Sequence, residues 1–280
     1  MHDSAASTRL PGPIRIGLFD SGVGGLSVLR ALRRRLPHAD LFYIADSAHA
    51  PYGERDAAFV QLRSFALTEA LLGVGAQIVV VACNSATALS IDPLRVRFGT
   101  TRFVGVEPGL KPALSLTRNG RIGVMATSAT LASERFARLL AAQQRPGIEF
   151  LLQPCPGLAQ ALEDGDADSA AVRAIVAREA GALRAAAVDT VVLGCTHYPF
   201  ASEAIGAVLG PGVRLVDTAP AVADQCARLT AASIDVAGLA QGTVSIATTG
   251  DPTRLMDIAA RWLDFETHFL PTLVPAGAGG

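Results

Sequence analysis

Val80-Val-Ala-Cys-Asn-Ser85 and Val192-Leu-Gly-Cys-Thr-His197 share one design, an apolar run that ends on a cysteine followed by hydrogen-bonding side chains. Two further pairs flank them. Arg15-Ile-Gly-Leu-Phe-Asp-Ser21 matches Arg121-Ile-Gly-Val-Met-Ala-Thr127, and Arg102-Phe-Val-Gly-Val-Glu-Pro108 matches Arg214-Leu-Val-Asp-Thr-Ala-Pro220. The cysteine pair and the last pair share one offset, 112 residues (195 − 83 and 220 − 108), and the first is offset by 106 (121 − 15). Any one match is within reach of chance among apolar strands. Three in the same order at nearly constant spacing predict two similar halves related by a pseudo-two-fold axis.

Working outward, short β-branched runs are predicted as strands at Ile14–Phe19, Leu41–Ile44, Ile78–Ala82, Phe103–Val106, Ile122–Met125, Glu149–Leu152, Val191–Leu193 and Val213–Val216. Several are continuously apolar, which suits parallel strands buried on both faces. Helical patterns lie between them, including Leu26–Leu36, Phe59–Leu72, Leu131–Ala142 and Ala170–Ala187. The alternation predicts an α/β fold of two similar domains with mainly parallel sheets and an active site in the cleft between them. The expected division is 1–106 plus 217–280 for the first domain and 107–216 for the second, the chain after Asp217 returning to complete the first.

The 280 residues are half hydrophobic and 18% charged, with a formal net charge of −1, so nothing favours nucleic acid as a partner. No apolar stretch is long enough to span a bilayer, and Met1–Pro13 lacks the apolar core of a signal peptide. That segment and Pro275–Gly280 read as disordered extensions, and a cytoplasmic location is expected. Arg33, Arg34 and Arg35 read as the solvated end of a helix, where cations suit the dipole.

Ligands of parallel α/β sheets bind beyond the carboxyl ends of the strands. The polar residues there are Asp20-Ser21, Asp46-Ser47, Cys83-Asn84-Ser85, Glu107, Thr127, Cys195-Thr196-His197 and Asp217-Thr218. Two facing halves would place Cys83 and Cys195 on opposite sides of one ligand. Inversion of a stereocentre needs that arrangement, a base on one face and an acid on the other, with roles exchanged in the reverse direction. A thiol serves in either protonation state once its surroundings tune it. Asp20, and Glu163 or His197, are candidates to assist. Ser21, Asn84, Ser85, Thr127 and Thr196 supply donors for the two carboxylates of a dicarboxylic amino acid. Cys155 and Cys226 read as small buried hydrophobes. Without a Cys-x-x-Cys pair no metal site is expected. Lys111 is the only lysine and lies in a turn-rich stretch, so pyridoxal chemistry is disfavoured and no cofactor is expected. Asp20-Ser-Gly-Val-Gly-Gly-Leu26 is a weak nucleotide signal: Ser27 stands at the third glycine of the dinucleotide fingerprint, and no Walker lysine follows. The glycines equally suit backbone amides approaching a small carboxylate.

These motifs resemble those of the glutamate racemases in the aspartate/glutamate racemase superfamily. The resemblance rests on Phe19-Asp-Ser-Gly-Val-Gly-Gly-Leu-Ser27, Ala45-Asp46 with Pro51-Tyr-Gly53, Ala82-Cys-Asn-Ser85, Gly105-Val-Glu-Pro-Gly109, Gly123-Val-Met-Ala-Thr127 and Leu193-Gly-Cys-Thr-His-Tyr-Pro199. It implies that Cys83 and Cys195 are the acid/base pair, Cys83 serving the D- and Cys195 the L-enantiomer as base. It implies substrate contacts at Asp20, Ser21, Tyr52, Gly53, Asn84, Ser85, Thr127, Thr130, Thr196 and His197, with Glu163 as an auxiliary carboxylate. It also implies L- and D-glutamate as the substrates and D-glutamate for peptidoglycan as the outcome. A homodimer is expected. The chain departs from the family at Ser85, where many members carry threonine, at Ala126, a common glycine, and in Cys155–Glu163, which lacks a family proline. The alternatives are a racemase of another acidic amino acid such as aspartate, a nucleotide-binding module, and a redox-sensing thiol protein.

Overall fold

In the computed structural model, residues 13–164, 166–231 and 240–271 are described. The two expected disordered extensions lie outside them, apart from Pro13. Ten strands are present among the described residues: β1 (Arg15–Asp20), β2 (Asp40–Ala45), β3 (Ile78–Val81), β4 (Arg102–Gly105), β5 (Arg121–Ala126), β6 (Glu149–Pro154), β7 (Thr190–Gly194), β8 (Arg214–Val216), β9 (Val244–Thr248) and β10 (His268–Phe269). They form a six-stranded sheet of order β10-β9-β2-β1-β3-β4 and a four-stranded sheet of order β6-β5-β7-β8. Every pairing is parallel.

The order β2-β1-β3-β4 in one sheet is the order β6-β5-β7-β8 in the other. The repeated sequences therefore occupy equivalent strands: β1 and β5, β3 and β7, β4 and β8. The uninterrupted Ile78–Val81 is explained by burial on both sides. Ile78 and Val80 join one core cluster with Leu26 and Leu29, whereas Val79 and Val81 join another with Leu67 and Leu71. The second sheet repeats this, with Val192 facing Phe136 and Val191 facing Leu183. Full burial of each such side chain is worth about 1.5–3 kcal/mol. The glycine shared by β1 and β5 has one use in both. A Cβ on Gly17 would sit 3.0 Å from the Leu71 and Ala76 side chains, and on Gly123 it would sit 2.8 Å from Leu183. Each lets a helix pack closely on its sheet.

Three readings of the sequence need amendment. The helical pattern Leu131–Ala142 is two helices, Ser128–Ala132 and Glu134–Gln143. Ser133 separates them, its extended backbone placing its hydroxyl to accept from Phe136 N–H at 3.1 Å. Arg33 is not solvated: its guanidinium donates to the carbonyls of Pro37, Ala39 and Thr243 at 2.5, 3.0 and 2.9 Å. Arg34 and Arg35 are the exposed pair, bridged to Asp264 and Asp224. Finally, β9 and β10 are strands the pattern did not reveal, and β9 extends the first sheet beside β2. Among the described residues no helix is long and apolar enough to cross a membrane.

Candidate active site

Each half of the repeat places a cysteine just beyond its third strand. Cys83 follows β3 and caps the helix Asn84–Arg97, with Ala86 N–H directed at its sulfur at 3.5 Å. Cys195 follows β7 and leads into the single turn Tyr198–Ala201. Both are free thiols and buried, at 5% and 6% exposure.

A carboxylate accompanies the first thiol. β1 and β3 are neighbours, so Asp20 at the end of β1 lies beside Cys83. Its Oδ1 accepts from Ser21 N–H at 2.7 Å and Ser21 Oγ at 3.3 Å. Its Oδ2 accepts from Gly25 N–H at 2.5 Å and from Thr196 Oγ1, across the cleft, at 3.2 Å. Burial pushes the Asp20 carboxyl above its ordinary range against the opposing charge of His197. Burial, and then the charge of Asp20, push the Cys83 thiol well up. The thiol itself donates to Ser21 Oγ at 3.7 Å.

An imidazole accompanies the second thiol. His197 Nδ1 lies 3.6 Å from Cys195 Sγ, and its Nε2 lies 2.6 Å from Glu163 Oε1. The same Glu163 oxygen accepts from Val23 N–H, in the opposite half, at 2.6 Å. Burial opposes the imidazolium, but the hydrogen bonds to Cys195 and Glu163 outweigh it and hold His197 well above its ordinary value. The glycine-rich loop is shaped to this pair: a Cβ on Gly22 would overlap the Glu163 carboxylate, and one on Gly24 would overlap the His197 ring. The use of those glycines in this structure is contact with the opposite half.

The remaining expected contacts gather around this core. Ser85 Oγ and Thr127 Oγ1 meet at 3.0 Å across the halves, and Thr127 donates to Thr130 Oγ1 at 2.9 Å. Gly53 packs on Thr127, whose Cβ would lie 3.0 Å from an added methyl. Asn84 donates to the Val106 carbonyl at 3.1 Å while its Oδ1 is buried without a hydrogen-bond partner among the described residues. Tyr52 is placed beside this group, but its hydroxyl is given to Asp46 rather than to the cleft. A cavity of 260 Å³ opens between Pro51, Gly53 and Glu54 on one side and Thr127, Cys155 and Pro156 on the other.

Other strand-end residues serve elsewhere. Glu107 bonds Arg135 at 2.5 Å, and with Asp217 and Lys111 it lines a separate cavity of 450 Å³. Cys226 is sealed in the core of the first sheet, its thiol pushed up to about 12 by burial. Cys155 is buried near the 260 Å³ cavity, and burial raises its thiol too. The sequence did not reveal the backbone donors Val23 N–H and Gly25 N–H, nor the buried Arg63 that holds Asp46. The glycines marked a close approach; a lone arginine within a helical pattern carries no comparable mark.

A sequence profile described as Asp/Glu/hydantoin racemase matches residues 26–226. The glutamate racemase of Herpetosiphon aurantiacus is 47% identical over 245 residues, which are 87% of this chain and 95% of that one. The glutamate racemase of Pseudomonas aeruginosa strain PAO1 is 44% identical over 217 residues, 78% of this chain and 82% of its own. Among solved structures, a glutamate racemase isoform from Bacillus anthracis superposes with a TM-score of 0.83 at 31% identity, covering 92% of this chain and 97% of that one. The Escherichia coli glutamate racemase, solved with L-glutamate, gives 0.80 at 32% identity, covering 94% and 99%.

Proposed function

Because the chain belongs to the Asp/Glu/hydantoin racemase family, we propose that it interconverts L- and D-glutamate with Cys83 and Cys195 as the acid/base pair and without a cofactor. The observation that carries this reading is the position of the two thiols. They stand beyond equivalent strands of two sheets with one strand order, and both are buried at the seam where the halves meet.

The surroundings of the thiols suit a two-base inversion. With L-glutamate bound, Cys195 takes the α-proton from one face as a thiolate, with His197 as its cationic partner. Cys83, which burial and Asp20 keep protonated, delivers a proton to the opposite face. The reverse reaction exchanges the roles. The substrate ammonium is assigned to Asp20 and the free Asn84 Oδ1; its charge offsets the repulsion between Asp20 and a Cys83 thiolate. Ser21, Ser85, Thr127, Thr130, Thr196 and the Tyr52–Gly53 backbone are assigned to the two carboxylates. Glu163 holds His197 in place and closes the site by accepting from Val23 N–H. Entry is assigned to the 260 Å³ cavity, with the two halves opening to admit substrate. We read the two sheets as two domains, 1–106 plus 217–280 and 107–216. A cytoplasmic homodimer that makes D-glutamate for peptidoglycan belongs to the same proposal and rests on the resemblance to glutamate racemases.

The test is turnover in deuterated water without added cofactor, with L-glutamate and then L-aspartate. Glutamate is expected to lose optical rotation while gaining α-deuterium. Exchange of aspartate alone would transfer the reading to a racemase of that amino acid. No exchange with either would end the racemase reading.

A further inference from the structure

Asp46 and Arg63 form a buried ion pair, both side chains at 0% exposure, at the carboxyl end of β2. The guanidinium grips the carboxylate through both arms, Nε to Oδ2 at 2.9 Å and Nη2 to Oδ1 at 2.8 Å. Three more groups converge on the same carboxylate. The Tyr52 hydroxyl donates to Oδ2, Thr249 Oγ1 donates to Oδ1 at 2.8 Å, and His49 Nδ1 lies 3.0 Å from Oδ1. Thr249 in turn accepts from Ala48 N–H at 3.2 Å. One carboxylate thus ties β2, the segment 47–54, the middle of the helix Ala57–Gly73 and the end of β9.

Burying a pair of full charges is costly unless the geometry satisfies both, and an apolar pair would serve packing as well. The hub has a consequence that packing alone does not require. Segment 47–54 is the first half's wall of the 260 Å³ cavity, and its Gly53 packs on Thr127 of the second half. The Tyr52 ring lies in the same apolar cluster as Cys83. Among the described residues the two thiols hydrogen-bond Ser21, Ala86 and His197, which lie outside the hub.

We propose that Arg63 is a positioning residue: acting through Asp46, it fixes Tyr52–Gly53 at the rim of the substrate cavity and so sets glutamate affinity, leaving proton transfer to the thiols. This rests on the racemase reading above. It also gives the returning strand β9 a part in the site, because Thr249 completes the hub.

The test uses Arg63→Lys, which keeps the charge but loses the fork, and Thr249→Val, which keeps the shape and removes one hydrogen bond. Both are measured beside the full-length wild type. KM for glutamate is expected to rise about 10-fold in the first and about 3-fold in the second, with kcat within about 2-fold, the pattern of lost uniform binding. Amide exchange of peptide 47–54 is expected to quicken in both. Wild-type KM with unchanged exchange, or a fall in kcat at constant KM, would overturn the positioning role and leave the racemase reading standing. Failure of the wild type itself to turn over glutamate would instead overturn that reading, and unaltered exchange in Thr249→Val would still count against the hub. Should Arg63→Lys fail to fold, Thr249→Val carries both readouts.

Discussion

The two cysteine sites are alike in their place after a strand and opposite in charge. Cys83 and Cys195 follow equivalent strands, yet the first stands beside a carboxylate and the second beside an imidazole. The repeat shows where this difference arises. Asp20 at the end of β1 corresponds to Ala126 at the end of β5, and His197, two residues after its cysteine, corresponds to Ser85. Duplication supplies two thiols in equivalent places. The positions where the repeat fails supply the partners that tell the thiols apart. The two-thiol racemisation proposed above uses both features, because its chemistry is nearly mirror-symmetric and its substrate is not.

The largest effects are expected from removing the symmetric parts. Cys83→Ala and Cys195→Ala should each lower racemisation by on the order of 10³-fold or more, read by polarimetry. Residual α-deuterium exchange should be one-handed, confined to L-glutamate in Cys83→Ala and D-glutamate in Cys195→Ala. Two-handed exchange in either variant would break the assignment of one thiol to one face. The asymmetric parts come next. Asp20→Asn and His197→Gln should each lower kcat by roughly 10–10²-fold. Their effects on alkylation should be opposite in sign. Iodoacetamide should label Cys83 faster in Asp20→Asn, because the charge that disfavours its thiolate is gone. It should label Cys195 more slowly in His197→Gln. Mass spectrometry of the labelled peptides at pH 8 separates the two. The symmetry also sets a check on every variant. Enantiomers in water have equal free energy, so kcat/KM must stay equal in the two directions however unequal the two sites become.

How much of this the sequence disclosed depended on the kind of signal. Strands buried on both faces leave a continuous apolar run, so all eight expected strands overlap β1–β8. β9 is a short, weakly apolar Val244–Thr248, and β10 has only two residues, so neither rises above loop. Ser133 divides a helical pattern because capping is a matter of backbone angle, which apolar periodicity does not register. Asp20, Ser21, Cys83, Asn84, Ser85, Thr127, Cys195, Thr196 and His197 were legible as polar residues after strands, whereas Tyr52, Gly53 and Thr130 were expected only from the family resemblance. Glu107 and Asp217 met the same rule and line another cavity. Position at a strand end is thus not sufficient for this cleft, and Glu163 in the helix Leu158–Asp164 and Tyr52 in the turn Tyr52–Glu54 show that it is not necessary either. Arg63 and the buried Arg33 were illegible for a further reason, since Arg63 is neutralised by Asp46 on another element and Arg33 donates to backbone carbonyls, of Pro37, Ala39 and the distant Thr243, which side-chain pattern does not register.

The asymmetry should also appear in stability. His197 carries a pKa raised above its unfolded value near 6.5. Its stabilising contribution is therefore complete below about pH 6.5 and is lost as pH rises through the folded value. The melting-temperature advantage of wild type over His197→Gln should be greatest near pH 6 and shrink steadily toward pH 9. An advantage independent of pH would mean that the ring acts by shape alone. Asp46 runs the other way. Hydrogen bonds from Arg63 and Tyr52 overcome its burial and hold it below the usual carboxylate range. Its contribution is present above about pH 4 and is lost on acidification through the folded value.

The smallest effects separate the two loops after β1 and β5. In the repeat, Gly22 corresponds to Ser128. A methyl on Gly22 meets the buried Glu163 carboxylate, which is already fixed by His197 and Val23 N–H, whereas Ser128 is exposed. Gly22→Ala should therefore cost about 1–3 kcal/mol, as overpacking does, and lower activity by displacing Glu163 from His197. Ser128→Ala should stay within about 0.5 kcal/mol. Thermal melts and kcat for the two variants form one comparison. If they behave alike, the glycine-rich loop is no more than a turn. If they divide as expected, the first half contributes to the Cys195 site through its backbone, and the two sites are coupled across the cleft rather than merely opposed.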